Sequence, residues 1–177
     1  IKTDSYYGVL GVAVKNQKAY VAACDGGLEI YDISDPSSPV LIGAKDMYWA
    51  EDIKIVDDYA FVVSQDAGLF ILNVADSSNP YIIGSVDTPF RAYGISISGQ
   101  TAYVADGGSG IQIIDISDPY RPSIIGSIDT PFNAYQVQAV GQIAYVADSH
   151  GGLIIVPLPK QIQEIELISS SELHVTL

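Results

Sequence analysis

The sequence predicts an all-β protein, a β-propeller made of four blades, and three observations support this prediction. The composition is typical of strands and turns, since 12 Tyr, 16 Gly and 9 Pro accompany many Val, Ile and Thr residues. The 16 Asp outnumber the 5 Glu, and Asp favours turns whereas Glu favours helix interiors. One sequence pattern recurs four times at a spacing of 41 or 42 residues, and no window shows helical periodicity.

The repeat is defined by residues of the same type at the same place in each copy. It divides residues 1–169 into blades at about 5–46, 47–87, 88–129 and 130–169, and leaves 170–177 as a tail or the start of a following β domain. The positions that keep the spacing in all four copies are Ala19, Ala60, Ala102 and Ala144; Gly27, Gly68, Gly110 and Gly152; and Ile30, Ile71, Ile113 and Ile155.

Each repeat contains four predicted strands in a fixed order. The first, such as GISIS at 94–98, enters the second, such as TAYVA at 101–105, through a two-residue hairpin turn. A Gly-rich loop leads to the third strand, such as GLEIYDIS, and an Asp-Pro turn such as DPSSP leads to the fourth, such as VLIG. A crossing segment such as SVDTPFRAY then enters the next repeat.

Four antiparallel strands in about 40 residues are typical of a propeller blade, and strands that are apolar on both sides suit sheets packed between neighbours. A parallel β-solenoid is the rival, but its turns are shorter than this repeat and lack paired hairpins. Residues 1–3 align with the end of a fourth strand, and 162–169 can supply the missing strand of the last blade. The chain is therefore a fragment of a longer propeller protein, or four blades that close alone, or half of an eight-bladed ring of two chains.

The third strand and its flank carry a family resemblance. The segments GLEIYDISDPSSP, GIQIIDISDPYRP and the looser GLFILNVADSSNP resemble the LVIVD repeat of bacterial and archaeal surface proteins, and the resemblance covers residues 5 to about 157. It implies a propeller on a secreted or surface-anchored protein, with no established catalytic role. The fourth copy departs from the pattern at Val156 and Pro157, where the chain stops following the repeat.

Several partner classes are set aside by composition. A net charge of −13 argues against binding to the phosphate backbone of nucleic acids, which requires clustered Lys and Arg. No apolar run approaches the roughly 20 residues of a membrane helix, so no membrane insertion is expected. Cys24 is the only cysteine, which excludes an intrachain disulfide and a thiolate metal cluster.

Matching aspartates in the crossing segments form the one candidate metal site. Four carboxylates around an axis could hold Ca²⁺, which takes six to eight oxygen ligands. The competing and favoured interpretation is that each carboxylate accepts a backbone amide and shapes its turn, so that no cofactor is needed. The aromatic residue that follows each aspartate is interpreted as a packing plug between blades. The aspartates are Asp4, Asp46, Asp87 and Asp129, and the aromatic residues are Tyr7, Tyr48, Phe90 and Phe132.

The variable positions after those aromatic residues predict a ligand-binding surface. A repeat keeps what its fold requires, and the residue types found at these positions are enriched at recognition surfaces. The predicted binding residues are Trp49, Glu51, Arg91, Tyr93 and Tyr135.

The remaining polar residues of the loops predict no catalytic site. Asp148, Ser149 and His150 have no third metal ligand at a fixed spacing, and Cys24 has no base nearby in sequence. Asp32, Asp35, Asp115 and Asp118 belong to the turn after the third strand and are interpreted as structural. No arrangement of nucleophile, base and orienting group is visible, so the chain is predicted not to be an enzyme.

The sequence thus predicts a non-catalytic interaction or scaffold module of a secreted or cell-surface protein, acting in adhesion through protein or glycan contacts. Two alternatives stay open: a purely structural spacer of a surface assembly, and a propeller enzyme of the hydrolase type. Because a partial propeller leaves strand edges and apolar blade faces uncovered, self-association or contact with adjacent blades is also expected.

Overall fold

The computed structural model describes residues 6–159, which form four antiparallel sheets, one for each repeat. We call these sheets blades 1 to 4 in chain order. Blade 1 consists of β1 (Gly11–Lys15), β2 (Lys18–Ala22), β3 (Leu28–Asp32) and β4 (Val40–Lys45). Blade 2 consists of β5 (Ala50–Val56), β6 (Tyr59–Ser64), β7 (Gly68–Asn73) and β8 (Tyr81–Val86). Blade 3 consists of β9 (Gly94–Ser98), β10 (Thr101–Ala105), β11 (Ile111–Asp115) and β12 (Ser123–Ile128). In blade 4 the described strands are β13 (Gln136–Val140), β14 (Ile143–Ala147) and β15 (Leu153–Pro157).

Strands pair in chain order within every blade, so the predicted four-stranded antiparallel unit is confirmed for blades 1 to 3. The all-β class is also confirmed, since the helical structure in residues 6–159 is limited to one 3-10 turn at Ser149–Gly151. The fourth strand predicted at 162–169 and the tail at 170–177 lie outside the described residues, as do residues 1–5.

The hairpin turn between the first and second strands takes the left-handed backbone that the sequence predicts. The φ angles are 50° at Asn16, 48° at Asp57, 56° at Gly99 and 60° at Gly141. Asn, Asp and Gly tolerate this region better than other residues, which is why these types stand at the four turns.

The turn between the third and fourth strands is held by aspartate side chains. Asp35 accepts hydrogen bonds from the amide and the hydroxyl of Ser37, at 2.9 and 2.7 Å, and Asp76 accepts the same pair from Ser78. These bonds lower the pKa of both carboxyls. Asp118 in the third repeat accepts the amide of Tyr120 at 3.0 Å. The prediction that the aspartates of this turn are structural is confirmed.

Each internal blade packs between two others, and its two faces use different positions of the repeat. The forward face, which contacts the next blade, carries large side chains from the second and third strands, as with Leu28 and Ile30 in blade 1. The backward face, which contacts the preceding blade, carries side chains from the first three strands, as with Ile53, Val62 and Leu72 in blade 2. Three apolar clusters of this kind join blades 1 and 2, 2 and 3, and 3 and 4. This packing explains why the strands are apolar on both sides.

One buried carboxylate links three blades at their first strands. Asp52 accepts hydrogen bonds from the backbone amide of Ile95 at 3.1 Å and from the side-chain amide of Gln136 at 3.3 Å. The ammonium group of Lys54 lies 3.1 Å from the same carboxylate. Asp52 and Gln136 occupy the repeat position that is Gly11 in blade 1 and Gly94 in blade 3. Because only blades 2 and 4 carry a side chain at this position, the network could not be inferred from the repeat.

Candidate functional site

The crossing segments and the Gly-rich loops lie at the same edge of the blades. Each crossing segment leads into the first strand, and the start of the first strand pairs with the end of the second strand, where the Gly-rich loop begins. In three blades an aspartate of the Gly-rich loop accepts hydrogen bonds from the crossing segment. Asp25 accepts the backbone amides of Tyr6 and Tyr7, both at 3.3 Å. Asp106 accepts the amide of Phe90 at 3.0 Å and the hydroxyl of Thr88 at 2.7 Å.

The loop aspartate of blade 4 makes the same contact with the crossing segment, but without the threonine hydroxyl. Asp148 accepts the amide of Phe132 at 3.0 Å, as Asp106 does from Phe90. The hydroxyl of Thr130 donates instead to the carbonyl of Phe132, and Oδ1 of the buried Asp148 has no partner among the described residues.

These contacts correct one expectation from the sequence. The role of accepting the crossing amides was assigned to Asp46, Asp87 and Asp129, yet within residues 6–159 no backbone amide donates to any of these three carboxylates. The loop aspartates perform that role because they lie on the neighbouring loop and point across to the crossing segment. Asp4 lies outside the described residues.

The metal hypothesis gains no support from the geometry. In the part of the chain that the structure describes, no group of three or more His, Cys, Asp or Glu side chains could hold a metal ion. His150 contacts Ser149 and the ring of Phe132 instead, with Nδ1 lying 3.2 Å from the Ser149 hydroxyl. Cys24 is buried, and burial raises the pKa of its thiol, which disfavours the reactive thiolate.

Trp49 is the centre of an exposed aromatic cluster. The rings of Tyr7 and Trp49 are 4.8 Å apart, those of Tyr48 and Trp49 are 5.5 Å apart, and Tyr6 packs edge-on against Tyr7 at 5.1 Å. We call Tyr6, Tyr7, Tyr48 and Trp49 the aromatic cluster. All three tyrosines are more than half exposed. The interpretation of Tyr7 and Tyr48 as packing plugs between blades is therefore wrong, and Phe90 and Phe132 are likewise exposed.

The backbone at Trp49 is strained, with a φ of 55° that bulky residues rarely adopt. The flanking segments hold it in place. Ala50 and Cys24 exchange two backbone hydrogen bonds, at 2.9 and 3.1 Å, and the amide of Gln65 donates to the Trp49 carbonyl at 3.2 Å. Backbone contacts from both blade 1 and blade 2 thus fix the position of Trp49, and its ring packs against Tyr7 and Tyr48.

Glu51 adds a polar group to this cluster. Its carboxylate accepts hydrogen bonds from the side chains of Gln65 and Trp49. Burial raises the pKa of Glu51, and the two hydrogen bonds offset only part of that rise. The sequence predicted Trp49 and Glu51 but missed Gln65. At the position of Gln65 the other repeats have the small residues Cys24, Gly107 and Ser149, and this difference is the signal that could have identified Gln65.

The other predicted binding residues form a second group. The rings of Tyr93 and Tyr135 are 4.9 Å apart, which joins blades 3 and 4 at the same edge. Arg91 is exposed, and its Nε lies 3.9 Å from the Asp66 carboxylate, so this ion pair contributes little to stability. The structure therefore brings the five predicted residues together as Trp49 with Glu51 and Tyr93 with Tyr135, and places Arg91 beside Asp66.

We expect the fluorescence of Trp49 to report the protonation of Glu51, because Trp49 is the only tryptophan and contacts that carboxyl. The fluorescence should change at a pH above the ordinary glutamate pKa of about 4.3. Since the folded-state pKa is raised, Glu51 also favours folding below its ordinary pKa, and this contribution is lost as the pH rises through the folded-state value.

The variant Glu51→Gln should remove the fluorescence transition, and Asp66→Asn, which alters an exposed carboxylate of the nearby loop, should leave it unchanged. A transition that persists in Glu51→Gln would assign it to another group.

Four antiparallel blades packed face to face, with recognition-type side chains grouped at one loop edge, define a propeller-like repeat scaffold module. The model of the LVIVD repeat family matches residues 9–46, 49–88, 91–130 and 133–157. The chain therefore belongs to the LVIVD repeat family, which confirms the resemblance seen in the third strands. Among curated proteins none matches the chain.

Two solved structures share this fold. The chain is similar to the computationally designed protein Ika4, with a TM-score of 0.70 and 13% identity over 89% of this chain and 94% of that one. It is also similar to the computationally designed protein Ika8, with a TM-score of 0.68 and 12% identity over 85% of this chain and 46% of that one. The chain thus spans about half the length of Ika8. At these identities the likeness shows the fold alone.

One further finding concerns membranes. No helix within residues 6–159 is long and apolar enough to cross a bilayer.

Proposed function

We propose that the chain is a non-catalytic interaction module of a secreted or cell-surface protein, and that it binds protein or glycan partners through the aromatic cluster and Glu51. The observation that carries this proposal is the exposure of Tyr6, Tyr7 and Tyr48 around the partly buried Trp49 and a half-buried carboxylate. Monomeric proteins rarely leave several large aromatic rings together in solvent, and Tyr and Trp dominate binding energy at interfaces.

The chemistry of the cluster suits recognition better than catalysis. Tilted rings 4.8 and 5.5 Å apart present apolar edges and faces together with polar atoms, while Glu51 and Gln65 supply an acceptor and a donor beside them. The carboxylate is already engaged by two side chains, and no cofactor is required for such contacts. The secreted or surface setting rests on the family resemblance and on the charge of −13, which favours solubility.

The test is to screen the 177-residue chain against glycan arrays and panels of surface proteins. For any partner found, Trp49→Ala should weaken binding at least tenfold, which corresponds to about 1.4 kcal/mol. Tyr120→Ala removes an exposed aromatic ring from the turn after β11, away from the aromatic cluster, and serves as the control. Binding that is unaffected by Trp49→Ala would exclude the cluster. No binding on either array would favour the spacer alternative, and turnover of a substrate would contradict the non-catalytic assignment.

A further inference from the structure

Glu51 lies in the one first strand whose pairing with the second strand is irregular. In blades 1, 3 and 4 the two strands pair residue by residue, whereas in blade 2 the register shifts between Ala50 and Asp52, so that Glu51 forms a β-bulge. The strained backbone of Trp49, with a φ of 55°, precedes this bulge. Bulges redirect side chains, and strained residues occur most often at functional sites. Both features therefore mark Trp49 and Glu51 as a place that binds something.

The carboxylate of Glu51 is held by two neutral donors. The side chains of Gln65 and Trp49 donate hydrogen bonds to it, and no basic side chain within residues 6–159 forms an ion pair with it. Burial raises the pKa of Glu51, because its charged form loses solvation. A cation beside this carboxylate would therefore stabilise the charged form.

A second carboxylate adds negative charge at the same junction of blades 1 and 2. Burial is the main cause that raises the pKa of the Cys24 thiol, and the negative charges of Glu51 and Asp25 raise it further. Asp25 accepts the backbone amides of Tyr6 and Tyr7, which places its charge beside the aromatic cluster. The ligand of this junction is therefore expected to be positively charged.

The wider loop edge has the same sign of charge. Within residues 6–159, the segments that connect the strands at this edge contain one Lys or Arg residue, Arg91, and seven aspartates. Such an excess of negative charge attracts cations and repels phosphate groups. The aspartates are Asp25, Asp46, Asp66, Asp87, Asp106, Asp129 and Asp148.

The aromatic rings supply the second element of cation recognition. The face of an aromatic ring attracts a cation that lies within about 6 Å of the ring centre, and Trp does so most strongly. The rings of Tyr7 and Tyr48 lie 4.8 and 5.5 Å from the ring of Trp49. A cation that contacts Trp49 is therefore close to a second aromatic ring as well.

An alkylated ammonium group suits this site better than a primary one. A primary ammonium is compact and strongly hydrated, and it has three N–H donors to satisfy. The carboxylate of Glu51 already accepts two hydrogen bonds, and ring faces are poor substitutes for water. A trimethylated ammonium has no N–H group and presents methyl groups to the rings. In a phosphocholine headgroup this cation is accompanied by a phosphate, which the aspartates would repel, whereas a methylated lysine carries the cation alone.

We propose that the aromatic cluster and Glu51 bind the methylated ammonium group of a lysine side chain in a protein partner. This proposal rests on the proposed function of the cluster as an interaction site and adds the chemistry of its ligand. The methylated ammonium contacts the rings of Trp49 and Tyr48, and the carboxylate of Glu51 balances its charge.

The test uses the acetylated amide of trimethyl-lysine as the probe. Its methyl protons are followed by NMR during titration with the 177-residue chain, since protons over an aromatic face shift upfield. We expect saturable binding. The neutral analogue in which carbon replaces the nitrogen has the same shape without the charge, and it should bind at least about tenfold more weakly. Unmethylated lysine amide and phosphocholine should also bind more weakly than trimethyl-lysine.

Variants assign the binding to this site. Glu51→Gln should weaken binding of the charged probe about tenfold and leave binding of the neutral analogue unchanged. Trp49→Leu and, at an exposed position, Tyr48→Leu each remove a ring but keep an apolar side chain, and both should weaken binding of the charged probe. Asp57→Asn is the matched control, because it removes one negative charge from the hairpin turn of the same blade, where blade 1 has Asn16. This variant should bind the probe like the wild type.

Equal binding of the charged and neutral probes would overturn the proposal, because the cluster would then act only as an apolar surface. No binding of trimethyl-lysine, or binding that Glu51→Gln leaves unchanged, would overturn it as well. Phosphocholine that binds as tightly as trimethyl-lysine would replace the protein partner with a headgroup.

These outcomes are distinct from a failure of the proposed function. A partner that requires Trp49, found together with no binding of trimethyl-lysine, would exclude the cation and leave the interaction module standing. Binding of trimethyl-lysine without any partner on the arrays would support the cation site and count against the adhesion role.

Discussion

Replacing Gly68 with alanine should lower the free energy of unfolding by about 2–5 kcal/mol, the sum of backbone strain and overpacking. Gly68 has a φ of 68°, in the region that L-residues with a side chain avoid. A Cβ at this position would lie 2.4 Å from the Val86 carbonyl oxygen and 2.6 Å from the Thr88 amide nitrogen. Both atoms belong to backbone of the adjoining strand and crossing segment, which cannot move aside without disturbing blade 2.

Gly141→Ala is the matched control for this prediction. Gly141 also has a positive φ, of 60°, but no atom lies within 4 Å of where its Cβ would be. This variant should carry the strain alone, about 1–2 kcal/mol. Urea unfolding followed by circular dichroism measures both. Equal losses in the two variants would show that backbone conformation, and not the close approach of the strand, accounts for the recurring glycine.

Replacing Ile71 with alanine should lower the free energy of unfolding by about 2–5 kcal/mol, the range for large-to-small changes in a packed core. Ile71 is fully buried in the cluster between blades 2 and 3, together with Ile95 and Val104. Removing its side chain leaves a cavity between two sheets, and sheets that are hydrogen-bonded internally cannot collapse readily to fill it.

Ile125→Ala provides the comparison, because Ile125 is exposed on the outer strand of blade 3 and its loss should change the free energy by less than about 0.5 kcal/mol. Thermal and urea unfolding of both variants measure the difference. A small loss for Ile71→Ala would show that the blades do not depend on each other for stability. Two unfolding transitions in place of one would show that the blade junctions uncouple when this contact is weakened.

Much of the fold follows from residues that are local in the sequence. The four hairpin turns, the Asp-Pro turns and the order of strands are all encoded in short segments, and Asp35 and Gly99 perform the roles that their residue types predict. The spacing of 41 or 42 residues then requires each segment to form the same sheet. Because a strand that is apolar on both sides must be covered on both sides, face-to-face packing of the blades also follows.

The candidate site was only partly predictable. Trp49 and Glu51 were identified because they break the repeat at positions where the fold makes no demand, and they do lie together. The sequence could not show that Tyr7 approaches Trp49 to 4.8 Å, since these residues belong to different repeats. It also assigned the amide contacts to Asp87, where the structure uses Asp106, because alignment of a repeat shows equivalent positions but not the direction of a side chain.

The sequence by itself determined the class of fold, the blade as the repeating unit, the family and the absence of clustered positive charge. Those properties depend on composition and on residues close together in the chain. Only the tertiary structure decided which aromatic rings are exposed and which carboxylate is buried. Burial depends on contacts between residues 40 or more positions apart, such as Asp52 and Ile95, and those contacts are set by how the blades pack.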